Sequence, residues 1–212
     1  MNLNQFARVR PFLFHLTSRN NIRRIKTASS LDPAATLLSH AGRADLLNAR
    51  RRGHRQIQLD GELVVLRDQD PLHERAIAFD PGWDLRRFVG HVNQHVFFWP
   101  GTLDGPIPAG RNHFERYASD QPVVLRIGLY QLLVANGQAE PRFCRFNSGA
   151  PRVTGGRRSP RGATTYQCAE EFNGTSSDVT EVVFAHRVVL PPSTQIGHSY
   201  GGPWCTLAAA SI

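Results

Sequence analysis

A chain of 212 residues with a hydrophobic share of 41% carries enough apolar side chain for a real core. That excludes a wholly disordered polymer and fits one large domain or two small ones. The formal net charge is +8, and Lys26 is the only lysine, so 24 of the 25 basic residues are arginine. Arginine offers a planar donor set that grips phosphate in two places and stacks on bases, so the charge points toward anionic ligands and nucleic acid. A genome-wide arginine bias would give the same composition. Cys144, Cys168 and Cys205 are odd in number and fit no metal-ligand spacing. No signal-peptide pattern opens the chain, and no apolar run reaches membrane length. The expectation is a soluble, cytoplasmic protein with free thiols, no metal and no membrane partner. In that compartment Asn173-Gly174-Thr175 is a glycosylation sequon by chance.

Residues 1–11 are polar and basic and read as a short arm. Phe12 to Thr17 reads as a buried strand with one polar histidine, His15. Two readings of His15 stay open: a satisfied core imidazole, or a ligand-holding group on a rigid floor. Ser18-Arg19-Asn20-Asn21 caps a helix whose apolar positions are Ile22 and Ile25 and which ends near Ala28. Ser30 or Asp32 starts another helical turn, with Pro33 near its first position and Leu37 and Leu38 as anchors. Ala44 to Arg52 reads as a helix with Arg50, Arg51 and Arg52 at its end and Gly53 as its cap. Ile57 to Leu66 alternates around Asp60-Gly61 as a hairpin would. Arg67-Asp68-Gln69-Asp70 leads into a helix with Pro71 in its first turn, and Asp84 to His95 is a further helix carrying Leu85, Phe88 and Val92.

Val96-Phe97-Phe98-Trp99 is a short buried strand; its aromatics read as core, with stacking on a ligand as the alternative. Arg111 to Ser119 reads as helix, Val123 to Ile127 as a core strand, Leu129 to Ala135 as a short helix, and Arg142 to Phe146 as a half-buried strand. Asn147 to Thr165 breaks the pattern, with five glycines or prolines between Gly149 and Pro160 and with Arg152, Arg157, Arg158 and Arg161. It is a long basic loop, functional or merely mobile. Val179 to Leu190 reads as the last long strand, and the tail beyond it as loop. Short strands and short helices without βαβ alternation predict an α+β domain. No GxGxxG opens a helix after a strand and no GxxxxGK[ST] occurs, which argues against a dinucleotide-binding βαβ unit and a P-loop.

Three distant features are candidates to meet in one cleft: His15, the arginines around Arg51, and Glu181 at the start of the last strand. Phe14-His15-Leu16-Thr17 followed by Asn20 and a basic helix resembles the opening of the DarT-type DNA ADP-ribosyltransferase toxins. Ala49-Arg50-Arg51-Arg52 and the later Arg67-Asp68-Gln69-Asp70-Pro71-Leu72 are similar to their arginine-rich segment and the loop after it. Glu181-Val182-Val183-Phe184, leading to Val188-Val189-Leu190-Pro191 and Ile196, resembles their catalytic-glutamate strand. The middle of the chain is similar to an uncharacterised bacterial family with Arg-Asp-Gln, Val-Phe-Phe-Trp and Asn-Ser-Gly-Ala motifs, here Arg67 to Gln69, Val96 to Trp99 and Asn147 to Ala150. The resemblance spans residues 12 to 196, and the loop from Ser148 to Thr165 departs from the toxins.

The resemblance implies an ADP-ribosyltransferase-like fold, with central split mixed or antiparallel sheets flanked by short helices. It implies an N-terminal arm over 1–11, a single catalytic domain over 12–198 and a C-terminal tail over 199–212. NAD is the implied co-substrate, cleaved between nicotinamide and ribose, with nucleic acid as acceptor and a cognate antitoxin as a partner that removes the modification. Positive charge develops on the ribose as nicotinamide leaves, so a fixed carboxylate there stabilises it. Glu181 would be that carboxylate and would hold the ribose 2′-hydroxyl. His15, Leu16, Thr17, Asn20 and Arg51 would bind NAD, with Arg51 gripping the pyrophosphate or orienting the acceptor and Arg50 and Arg52 as rivals for its place. Arg67, Asn147, Ser148, Arg157, Arg158 and Arg161 would touch the acceptor. Arg67 pairing with Asp68, and Asn147 and Ser148 making a plain turn, are the alternatives. NAD hydrolysis, a protein or small-molecule acceptor, and a non-catalytic nucleic-acid-binding module are the competing functions.

Overall fold

A computed structural model describes residues 1–137 and 139–210. The first third of the chain runs α1 (Leu3–Val9), β1 (Phe12–Thr17), α2 (Ile22–Ala28), β2 (Ser30–Leu31), α3 (Ala34–His40), and the hairpin β3 (Arg55–Leu59) and β4 (Glu62–Leu66). The middle holds β5 (Ile77–Phe79), α4 (Leu85–Asn93), β6 (His95–Thr102), β7 (Gly105–Pro106), α5 (Pro108–Arg116), β8 (Val123–Gly128) and α6 (Leu129–Ala135). Six short strands follow: β9 (Arg142–Cys144), β10 (Ser159–Arg161), β11 (Glu181–Ala185), β12 (Val188–Val189), β13 (Gln195–Gly197) and β14 (Cys205–Thr206). None of the described helices is long and apolar enough to cross a membrane.

The architecture is α+β. One eight-stranded sheet runs β14-β13-β8-β1-β6-β11-β9 with β7 hung on β6, and all its pairings are antiparallel. A parallel pair occurs outside it, between β5 and β10. The sheet is split along one seam. β1 pairs with β6 only from Phe12 to Phe14, opposite Gly101 to Trp99. Beyond Phe14, β1 is paired with β8 alone, and β6 from Phe98 back to His95 is paired with β11 alone. Strand alternation sends Leu13 into the larger core cluster with Phe6, Phe98, Leu125, Ile127 and Phe184, and Phe14 and Leu16 into a second one with Trp99, Phe114, Tyr117 and Val124.

Several expectations need correction. Residues 1–11 are not a free arm: Leu3–Val9 is helical, capped by the Asn2 side chain, and its Phe6 is fully buried edge-on against Phe143. One large aromatic anchors the segment, against the polarity of its neighbours. Ala44 to Arg52 is not a helix but a single 3₁₀ turn over Ala44–Leu46 followed by turns and bends. The segment after Arg67 makes only a 3₁₀ turn at Glu74–Ala76 before β5. The last long strand is broken at His186, whose φ of +67° turns the chain, so β12 pairs with β2 instead. The segment read as a tail contributes β14 to the main sheet; its residues 211 and 212 lie outside the described residues.

Gly101 sits at the closed end of the seam, opposite Phe12. A methyl group there would overlap Gly105 O and stand 2.7 Å from Pro106 Cα and 2.8 Å from the Phe14 ring. Backbone cannot yield cheaply, so Gly101→Ala is expected to lower stability by about 3 kcal/mol. Urea unfolding with a reduced midpoint and an unchanged slope is the result that checks it.

Candidate functional site

Where β1 and β6 part, the freed backbone opens a cleft of about 460 Å³. His15 stands on its floor. Its Nδ1 donates to Phe97 O at 2.9 Å, across the seam where a ladder bond would otherwise run. That bond leaves Nε2 as an acceptor. Burial, with Arg67 adding to it, pushes the imidazole down to about 4, so the ring is neutral at ordinary pH. Leu16, Thr17 and Asn20 continue along the same wall.

Glu181 enters from the other half of the sheet as the first residue of β11 and is 2% exposed. The backbone N–H of Ser148 donates to its Oε2 at 3.0 Å. Burial raises its carboxyl from 4.5 to about 7, and the Ser148 bond and Arg161 offset only part of that. Asn147 and Ser148 are held in turn by Arg161, which is 1% exposed. Its Nη2 donates to Asn147 O at 3.0 Å, its Nε to Ser148 O at 3.3 Å, and its Nη1 to Ser159 Oγ and Pro160 O at 2.7 Å each. Arg161 was expected to touch the acceptor. Its donors are committed to the protein instead, and it acts as a staple that sets the loop against Glu181.

Arg51 is also buried, at 6% exposure, and of the three successive arginines it alone lines the cleft. Gln69 N donates to Arg51 O at 2.7 Å, and Arg51 N donates back to Gln69 Oε1 at 3.2 Å. Its Nε donates to Arg67 O and its Nη1 to Asn93 Oδ1, both at 2.9 Å. Desolvation lowers it to about 10. Arg50 turns away to Leu72 O, and Arg52 is exposed. Arg67 lines the cleft too, with its guanidinium 4.3 Å from the Tyr117 ring centroid. It does not pair with Asp68, whose carboxylate accepts from Tyr117 Oη and lies 3.0 Å from His54 Nδ1.

Thus His15, Leu16, Thr17, Asn20, Arg51, Arg67, Asn147, Ser148 and Glu181 share one cleft. Arg157 and Arg158 do not reach it. With Arg116, Arg145 and Arg152 they wall a second groove of about 500 Å³, whose lining carries no Asp or Glu among the described residues. Cleft and groove meet at His113, Arg116, Asn147 and Ala150, which belong to both.

Sequence reasoning missed His113, Arg116 and Tyr117, which α5 and its end bring to the cleft. Their i, i+3, i+4 spacing is a helical face of polar and aromatic residues, and that was a usable signal. Phe98 is core, whereas Phe97 and Trp99 line the cleft as well as packing inside. Asn93 reaches Arg51 from α4 with no sequence mark to announce it. Among the described residues, no group of three or more His, Cys, Asp or Glu could hold a metal ion.

Comparison with curated proteins gives no match, and comparison with solved structures gives none either. Residues 11–190 match DUF7002, described as a family of unknown function, and that stretch contains all the cleft side chains named above. The chain belongs to the DUF7002 family.

Proposed function

We propose that the protein is an NAD-dependent ADP-ribosyltransferase of toxin or defence type whose acceptor is nucleic acid. The supporting observation is the convergence of His15 and Glu181, from opposite halves of a split sheet, on one cleft. In the reaction, the bond between ribose C1′ and the nicotinamide nitrogen breaks, and its electron pair leaves with neutral nicotinamide. The ribose becomes cationic, and the Glu181 carboxylate offsets that charge inside a desolvated pocket, where it acts strongly. An acceptor atom then bonds to C1′ and gives up its proton to Glu181 or to water. His15 Nε2 accepts a hydrogen bond from a ribose hydroxyl. Arg51, with its Nε and Nη1 bonded inside the protein, stands rigid in the cleft wall and keeps its Nη2 donors for the pyrophosphate or the acceptor.

The arginine groove favours a polyanionic acceptor, since it opens into the cleft and no ion pair among the described residues neutralises Arg116, Arg145, Arg152, Arg157 or Arg158. The same groove would serve a non-catalytic binding module, and the same cleft would serve NAD hydrolysis with water as acceptor. Labelled NAD incubated with single-stranded DNA, RNA and protein separates these: label on nucleic acid is expected. Free ADP-ribose alone means hydrolysis, and no cleavage at all removes the transferase reading.

Glu181→Gln is expected to lower transfer by roughly 10²- to 10³-fold while leaving nucleic-acid binding unchanged, measured by initial rates and by titration of an oligonucleotide. The carboxylate is the active form, so kcat/KM should rise tenfold per unit as pH climbs to about 7 and be level above it. Neutral His15 adds no further limb above about pH 4.

Stability should run the other way. The folded carboxyl holds its proton more tightly than the unfolded chain does. The stability this contributes is complete below pH 4.5 and is lost as pH rises through about 7. A glutamine mimics the protonated form at all pH values. Glu181→Gln should therefore melt higher than the wild type at pH 8, by up to about 3 kcal/mol, with the difference closing toward pH 5. Thermal unfolding at the two pH values reads this directly.

A further inference from the structure

Where the cleft meets the arginine groove, two guanidiniums flank one imidazole. Arg67 follows β4, and Arg116 lies in the last turn of α5. His113 is held down to about 3, first by burial and then by Arg67 and Arg116. Its ring stacks on Trp99, with centroids 4.2 Å apart and planes at 27°. Arg67 Nη1 and Trp99 Nε1 are buried and find no acceptor among the described residues. Trp99 is 5% exposed and lines the cleft, as Arg67 does. Arg116 is exposed and makes no ion pair among the described residues. Two carboxylates stand within electrostatic reach of Arg67, and both are engaged elsewhere. Asp120 accepts from His54 Nε2 at 2.9 Å, and Asp68 accepts from Tyr117 Oη and from Asp70 N at 3.0 Å each.

Guanidinium and indole are donor-only groups. The chemical group that completes them must therefore supply acceptors, and two cations acting on the same imidazole favour an anionic one. A phosphoryl group meets both conditions. We infer that Arg67, Arg116 and Trp99 form a phosphoryl-binding subsite around His113, at the mouth shared by the cleft and the groove. The neutral His113 ring positions the indole without adding a third charge. The subsite deepens the transferase reading and rests on it for the origin of the phosphoryl group, which is either the diphosphate of the dinucleotide or a phosphodiester of the acceptor strand.

The test is calorimetric titration of the full chain with inorganic pyrophosphate, ADP-ribose and a short single-stranded oligonucleotide. Wild type is compared with Arg67→Gln, Arg116→Gln and Trp99→Phe, each checked for folding by near-UV circular dichroism. Arg67→Gln should weaken pyrophosphate binding roughly tenfold or more, and Trp99→Phe, which keeps the ring and removes the donor, several-fold. Should Arg67→Gln not fold, the exposed Arg116 and the conservative Trp99→Phe carry the test. Matching losses with ADP-ribose place the diphosphate in the subsite; losses confined to the oligonucleotide place the acceptor there. Wild-type affinity in every folded variant overturns the subsite, as does a wild type that binds none of the three probes. NAD cleavage alongside unchanged variant affinities would sink the subsite and keep the transferase. Arg67-dependent pyrophosphate binding without NAD cleavage would do the reverse.

Discussion

One hydrogen bond replaces a strand pairing, and the rest of the site follows from it. After Phe14 and Trp99 the two central strands separate, and the His15 imidazole alone reaches Phe97 O across the gap. Backbone groups inside a sheet must find partners, so a ladder cannot simply end in the interior. Here each strand keeps its outer ladder, β1 on β8 and β6 on β11, while its seam-facing groups turn to the cleft, where Phe97 O takes the His15 bond. The wedge left between them is floored by an imidazole with a fixed tautomer and faced by a buried carboxylate. The seam thus supplies both the space for a ligand and the first group to orient it.

The buried charges are held in an unusual way. Arg51 and Arg161 are both nearly inaccessible, yet neither is bonded to a carboxylate: the donors they use go to carbonyl, amide and hydroxyl oxygens. Desolvation accordingly lowers both guanidiniums. What this arrangement gives is position. Arg51 ties the chain before β3 to Arg67 and to α4 through Asn93, and Arg161 fixes the Asn147–Ser148 backbone so that one N–H meets Glu181. A carboxylate raised to about 7 is poised to take or release a proton near neutrality, with Arg161 offsetting only part of the rise and no ion pair formed among the described residues.

The sequence made the strand-borne parts of this site readable and hid the loop-borne ones. Phe12–Thr17 announces itself by an apolar run around His15 and lies where that run lies, and the first half of the run from Val179 to Leu190 holds the strand Glu181–Ala185. The Asp60-Gly61 hairpin and α4 were equally plain, because turn chemistry and helical period act locally. Arg51 was placed at the end of a helix that does not exist; its true anchor is Gln69, a contact between segments that no local pattern encodes. Arg161 read as an acceptor-contacting arginine of a basic glycine-rich loop, and only the tertiary fold buries it. Trp99 read as core with ligand stacking as the alternative, because hydrophobicity reports burial and is silent on which edge of a ring faces a cavity.

The central claim is that one dinucleotide is gripped from both halves of the split sheet. The most direct measurement is a crystal structure of Glu181→Gln soaked with NAD, in which slow turnover leaves the ligand intact. The account predicts the nicotinamide ribose in the seam, with its hydroxyls at hydrogen-bond distance, roughly 3 Å, from both His15 Nε2 and the side chain at position 181. NAD bound elsewhere on the molecule, or touching only one of those two side chains, would contradict it.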